Sequence, residues 1–73
     1  MNYFELFNLD HAAILDDFES ASEAFGQLRE VLEHDGAEAF QSLALVAVEG
    51  ERRIVVARQD DLLNAVRPSP VAS

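Results

Sequence analysis

The feature that most constrains this chain is the run Ser20–Gly36, SASEAFGQLREVLEHDG. Ser20 followed three residues later by Glu23 matches a capping box, in which each side chain satisfies a backbone N–H that the first helical turn leaves without a partner. Ala21, Ala24, Phe25, Leu28, Val31 and Leu32 then recur at helical spacing and form one apolar stripe. Ser22, Glu23, Gln27, Arg29, Glu30 and Glu33 take the opposite side. Gly36 stands where a left-handed residue ends a helix. Gly26 is the local flaw, because glycine inside a helix costs about 0.5–1 kcal/mol relative to alanine. A close approach by a neighbouring element is the expected reason for it. A helix with one apolar stripe needs one apolar surface to lie on, and the remaining chain must supply it.

Leu43–Val48 (LALVAV) and Arg52–Ala57 (RRIVVA) are the clearest source. Both runs are rich in strand-forming residues, and the glycine-containing link Glu49-Gly50-Glu51 between them reads as a hairpin. The first run is apolar at alternate positions on both sides, with Leu43, Leu45 and Ala47 against Ala44, Val46 and Val48. That pattern belongs to a strand central in its sheet or covered on both faces. One helix covers only one face. Either the N-terminal segment or a second copy of the chain is expected on the other.

Periodicity leaves Met1–Leu9, MNYFELFNL, open between strand and helix. The stretch Tyr3–Leu9 resembles the opening of J-domain co-chaperones of iron–sulfur cluster assembly. The His-Pro-Asp tripeptide of that family is missing, and the β-hairpin signal downstream does not suit its all-helical fold. No family is assigned on these residues. His11–Asp16 reads as a short strand, or Asp10 caps a further helix. Phe18 is expected to fold back on the main helix as an apolar lid. Ala37–Ser42 reads as one helical turn. Asp60 is the expected N-cap of a short C-terminal helix with Leu62, Leu63 and Val66 on its apolar side and Pro68 as its stop. The predicted class is α+β, a small single domain over residues 1–68 with a disordered tail at 69–73. The order is roughly β-α-β-β-α (the first element strand or helix), one central amphipathic helix on a three-stranded sheet that contains a hairpin.

Charge is unevenly distributed. The formal net charge is −9, and residues 1–38 carry all of it, ten acids standing against Arg29 alone. Residues 39–73 balance four acids with Arg52, Arg53, Arg58 and Arg67. Such a chain is repelled by phosphate backbones and anionic lipid, so neither direct nucleic-acid binding nor a membrane partner is expected. With no cysteine there is no disulfide, thiolate metal site or thiol nucleophile. No apolar run approaches the roughly 20 residues that span a bilayer, and a cytoplasmic location is expected.

Chemistry-bearing constellations are sparse. Asp10, His11, Asp16, Asp17 and Glu19 bring oxygens and an imidazole together, without the alternation and glycine turn of a calcium loop. Glu30 and His34 lie at i, i+4 but lack any further zinc-type ligand spacing. The serines lie at caps, edges or in the tail, and no phosphate-cradling or nucleophile-elbow motif is present. No catalytic, cofactor or metal residue is assigned, and an enzyme is not expected. Tyr3, Phe4 and Phe7, with Val46 and Val48, are the candidate interface residues, since aromatic side chains are enriched in interface hot spots. Glu19, Glu23, Glu30 and Glu33 are the candidate acidic face. The expected function is a self-associating protein-interaction or regulatory module, most simply a homodimer. The alternative is an acidic inhibitor, antitoxin-like or mimicking nucleic acid, that binds a basic protein partner.

Overall fold

The structure is a computed structural model that describes residues 2–67. It is a small α+β domain whose strands form one four-stranded antiparallel sheet. The strands are β1 (Asn2–Asn8), β2 (Ala13–Phe18), β3 (Leu43–Glu49) and β4 (Arg52–Arg58), with α1 (Ala21–Asp35) and α2 (Gln59–Val66) packed on one side. A 3-10 segment, Ala37–Ser42, leads from α1 into β3. The order across the sheet is β2-β1-β3-β4. Its Cα atoms span 41 × 27 × 17 Å, a slab one sheet and one helical layer deep.

The helix α1 forms for the reasons its sequence carries, with one change in the cap. The Glu23 N–H donates to Ser20 Oγ at 3.2 Å, and Glu23 Oε2 reaches back to the N–H of Glu19 at 3.1 Å, one residue before the cap. Of these two donors, the Glu23 N–H is one that the first helical turn leaves without a partner, and the Glu19 N–H ties the incoming chain to the cap. At the exit Gly36 adopts φ +83, and its N–H donates to the Leu32 carbonyl at 3.1 Å. No element approaches Gly26: a Cβ built there meets nothing within 4 Å. The expected close packing at that glycine is absent among the described residues.

The N-terminal segment resolves to a strand, and a central one. β1 pairs with β3 from Asn2↔Glu49 to Asn8↔Leu43 and with β2 on its other side. Its apolar residues on both faces follow from that position, as they do for β3. The sheet therefore has four strands where the sequence suggested three. The missed feature is the β1–β2 hairpin, whose turn runs through Leu9–Ala12 without glycine. Ala12 takes the positive φ of 51 itself, and Asn8 Oδ1 accepts from the His11 N–H at 2.9 Å. A side chain closing its own turn is common for asparagine, but it leaves little trace in a sequence.

Leu6, Phe18, Ala24, Leu28, Phe40, Leu43, Leu45, Leu62, Leu63 and Val66 form the core, between the sheet and both helices. Phe40, Leu28, Leu45 and Leu62 are fully buried. Phe18 enters this core from the end of β2. α2 begins two residues earlier than its sequence suggests: Arg58 is the capping position and offers no side-chain cap. Asp60 is instead tied to the 3-10 segment, accepting from Gln41 Nε2 at 2.7 Å. The helix ends at Val66, and Pro68 and the tail 69–73 lie outside the described residues.

Candidate interaction surface

Strand pairing divides the sheet's side chains into two faces, because directly opposite residues share a face. Phe4↔Ala47 and Leu6↔Leu45 point toward the helices. Tyr3↔Val48, Glu5↔Val46 and Phe7↔Ala44 therefore point away from them, continued on β4 by Arg53 opposite Val48, Val55 opposite Val46 and Arg58 opposite Ala44. No described element packs over this second face. A shallow depression of about 270 Å³ runs along it, floored by Phe7, Leu9, Ala44, Val46 and Val55, with Glu5, Arg53 and Arg58 beside them.

Ala44, Val46 and Val48 are nonetheless buried. Flanking side chains screen them, and the Glu5–Arg53 pair contributes most visibly. Glu5 is the one charged residue in the buried set, its side chain 8% exposed, and Arg53 Nη2 stands 3.1 Å from its Oε1. The guanidinium starts on β4 and reaches β1, so it crosses β3 between the rows of Val46 and Val48. A carboxylate buried beside Val46 would be costly alone. Here an exposed arginine holds it and at the same time shields the strand beneath. Glu5–Arg53 is the only ion pair among the described residues.

Of the residues singled out in the sequence, Tyr3, Phe7, Val46 and Val48 share this open face. Phe4 lies on the other side, packed against the core. Glu19, Glu23, Glu30 and Glu33 are all exposed, at the entry and along α1 in the opposite layer. His11 lies in the β1–β2 turn and His34 in the last turn of α1, both exposed. No group of three or more metal-ligating side chains gathers among the described residues. Two further hollows, at Asn2, Tyr3, Asp17, Phe18 and Glu19 and at Gln41, Arg58, Gln59, Asp60 and Asp61, contain neither histidine. No described helix is long and apolar enough to cross a membrane.

Sequence reasoning missed the Glu5–Arg53 strap. Its trace is present: Glu5 is the only charged residue in the mostly apolar run Tyr3–Leu9, and strand alternation puts it on the Phe7 side. Its partner lies 48 residues away, and only the strand order shows that the two meet. Comparison with known proteins returns no matching family model, no matching curated protein and no matching solved structure.

Proposed function

We propose that this chain is a non-enzymatic protein-interaction module that self-associates, two copies meeting face to face through the open side of the sheet. One observation carries the reading. The open face combines an apolar centre, Phe7, Ala44, Val46 and Val55, with balanced formal charge: Glu5 and Asp17 against Arg53 and Arg58. On a molecule of net charge −9, this is a surface where copies approach without bringing like charge together, while the acids of α1 stay in the outer layers. A twofold axis makes such a patch its own complement.

Size limits the strength. Four strands of about seven residues present a face of roughly 19 × 24 Å. Two copies would bury on the order of 1,000 Å², the lower end of specific interfaces. A concentration-dependent dimer follows. Sedimentation should show a species of twice 8.1 kDa, and dilution from millimolar to low-micromolar protein should shift the resonances of Phe7, Val46 and Val48. Phe7→Asp should remove those shifts. Side chains on this face that do not respond to dilution would refute the reading.

A second reading has the exposed stripe Glu19, Glu23, Glu30 and Glu33 bind a basic protein as an inhibitor. It is supported by the absence, among the described residues, of any ion pair to these four side chains. Such a complex must weaken steeply with salt, since exposed charges are screened within about 8 Å at physiological ionic strength. An affinity indifferent to salt would end it.

A further inference from the structure

Among the described residues, five of the six large hydrophobic side chains that are exposed lie on the two edge strands. Ile14 and Leu15 of β2 are 50% and 53% exposed, and Ile54, Val55 and Val56 of β4 are 41%, 58% and 46% exposed. No strand, helix or loop among the described residues pairs with the outer side of either strand. Uncovered edges with apolar side chains are templates for further strands. Charge makes the two edges complementary. Within their bounds β2 carries Asp16 and Asp17 with no cation, and β4 carries Arg52, Arg53 and Arg58 with no acid. The four strands alternate in direction across the sheet, so β2 and β4 run opposite to each other. A second copy placed sideways, helices on the same side, thus offers its β2 antiparallel to the β4 of the first.

The rows of the sheet continue across such a junction. Asp17 stands in the row of Glu5, Val46 and Val55, and Phe18 in the row of Phe4, Ala47 and Ile54. With rows kept in line, the incoming Phe18 falls opposite Ile54 on the helix side. On the open side the incoming Asp17 falls opposite Val55, with Arg53 and Arg58 as its diagonal neighbours, within reach of long side chains. This also relieves a defect. Within one copy Asp17 lies directly across from Glu5, a like-charge pair of the kind that destabilises a ladder, and Asp17 has no ion pair among the described residues. Each edge strand carries a bulge, at the Leu6/Phe7 and Leu45/Val46 levels, a device that limits edge pairing. Both bulges sit toward the same end of the sheet and leave Asp16–Phe18 and Arg52–Val55 regular.

We infer that β4 of one copy pairs with β2 of the next, a head-to-tail junction that extends the sheet from molecule to molecule. A junction between two different surfaces does not stop at two copies: it closes into a ring or runs on as a filament. The junction does not require face-to-face dimerisation, because strand pairing at the edges makes it, although Asp17, Arg53 and Arg58 border both surfaces.

The test caps each edge in the Phe7→Asp background, which removes the face contact. One variant carries Arg52→Glu and Val56→Glu, blocking β4; the other carries Leu15→Lys and Asp16→Lys, blocking β2. All four positions are exposed, and circular dichroism should confirm an unchanged fold. In sedimentation, Phe7→Asp alone should give a mean mass that rises with concentration. Each capped variant should stay at 8.1 kDa, and each, added to the uncapped protein, should lower its mean mass by ending the growing sheet at one side. Capped variants that still grow, a capped variant that leaves the mass of the uncapped protein unchanged, or an uncapped protein whose mass does not rise would each overturn the inference. If a capped variant misfolds, hydrogen exchange on the unaltered chain decides: on concentration, outward amides of β2 and β4 should gain protection together. Protection at one edge alone, or at neither, overturns it.

Discussion

Gly26→Ala should stabilise this protein, and the amount follows from its surroundings. Gly26 lies inside α1 with helical backbone geometry, and the methyl group of alanine would meet no atom within 4 Å. No steric term opposes the change, and with no neighbour to touch, burial adds almost nothing. What remains is helix propensity, about 0.5–1 kcal/mol in favour of alanine. For a domain of this size each kcal/mol shifts the melting temperature by about 4–8 °C, so a rise of about 2–8 °C is expected. Thermal melts followed at 222 nm would read it, supported by a urea midpoint that moves at constant slope. The comparison should be run at two protein concentrations. A drop in melting temperature at both would mean that the glycine is needed within one copy, against the open space around it. A drop only at the higher concentration would mean that the helical layer, and not the open sheet face, meets a second copy.

Phe40→Ala should cost about 3–5 kcal/mol, since the ring is fully buried between the helices and the sheet; for a domain with a narrow margin, loss of the cooperative melt is the expected reading. Ser20→Ala removes the acceptor for the Glu23 N–H and should cost about 1 kcal/mol by denaturant titration, whereas Ser20→Asp should cost little. Arg53→Ala and Glu5→Gln, alone and together, form a cycle whose coupling should be about 0.5–1 kcal/mol, because Arg53 is 59% exposed and its attraction is screened. Arg53→Ala alone should be the worse single change, as it leaves Glu5 charged and buried beside Val46; equal costs for the two would argue against the strap.

Where local signals agree, the chain is readable from its residues. Ser20, the apolar stripe and Gly36 define α1 to within a residue, and Gly50 marks the β3–β4 turn. The two-sided apolar character of Leu43–Val48 correctly indicates a central strand. The first hairpin is the part that local rules do not reach. Its turn relies on Ala12 in a conformation that alanine seldom takes, held by Asn8 and by pairing on both sides of β1. Once β1 is recognised as a strand of the same sheet, the question of what the N-terminal segment covers disappears, and the second face is left open. The same limit applies to the surface. Alternation assigns Tyr3 and Phe7 to one side and Phe4 to the other, but which side meets the helices depends on the pairing of Leu6 with Leu45. Asp16, Asp17 and Arg52 look like ordinary solvated charges until the order β2-β1-β3-β4 places them on opposite rims.

The strand order also decides how quickly the molecule can be assembled. β1–β2 and β3–β4 are hairpins that need only local closure, and hairpins of that kind form in about 1–10 μs. The seam between them is different: β1 cannot meet β3 until residues 9–42, with α1 and the 3-10 segment among them, have been drawn into a closed loop. That closure is the main entropic step, so the barrier to folding should lie at the seam and not at either hairpin. In a chevron experiment Leu6→Ala and Leu45→Ala should slow refolding, while Ile14→Ala and Val56→Ala at the rims should act, so far as they act, by hastening unfolding. The rims are then the last part of the sheet to set and the first to loosen, so strand edges open to a neighbouring molecule are also the part of the fold freest to adjust to one.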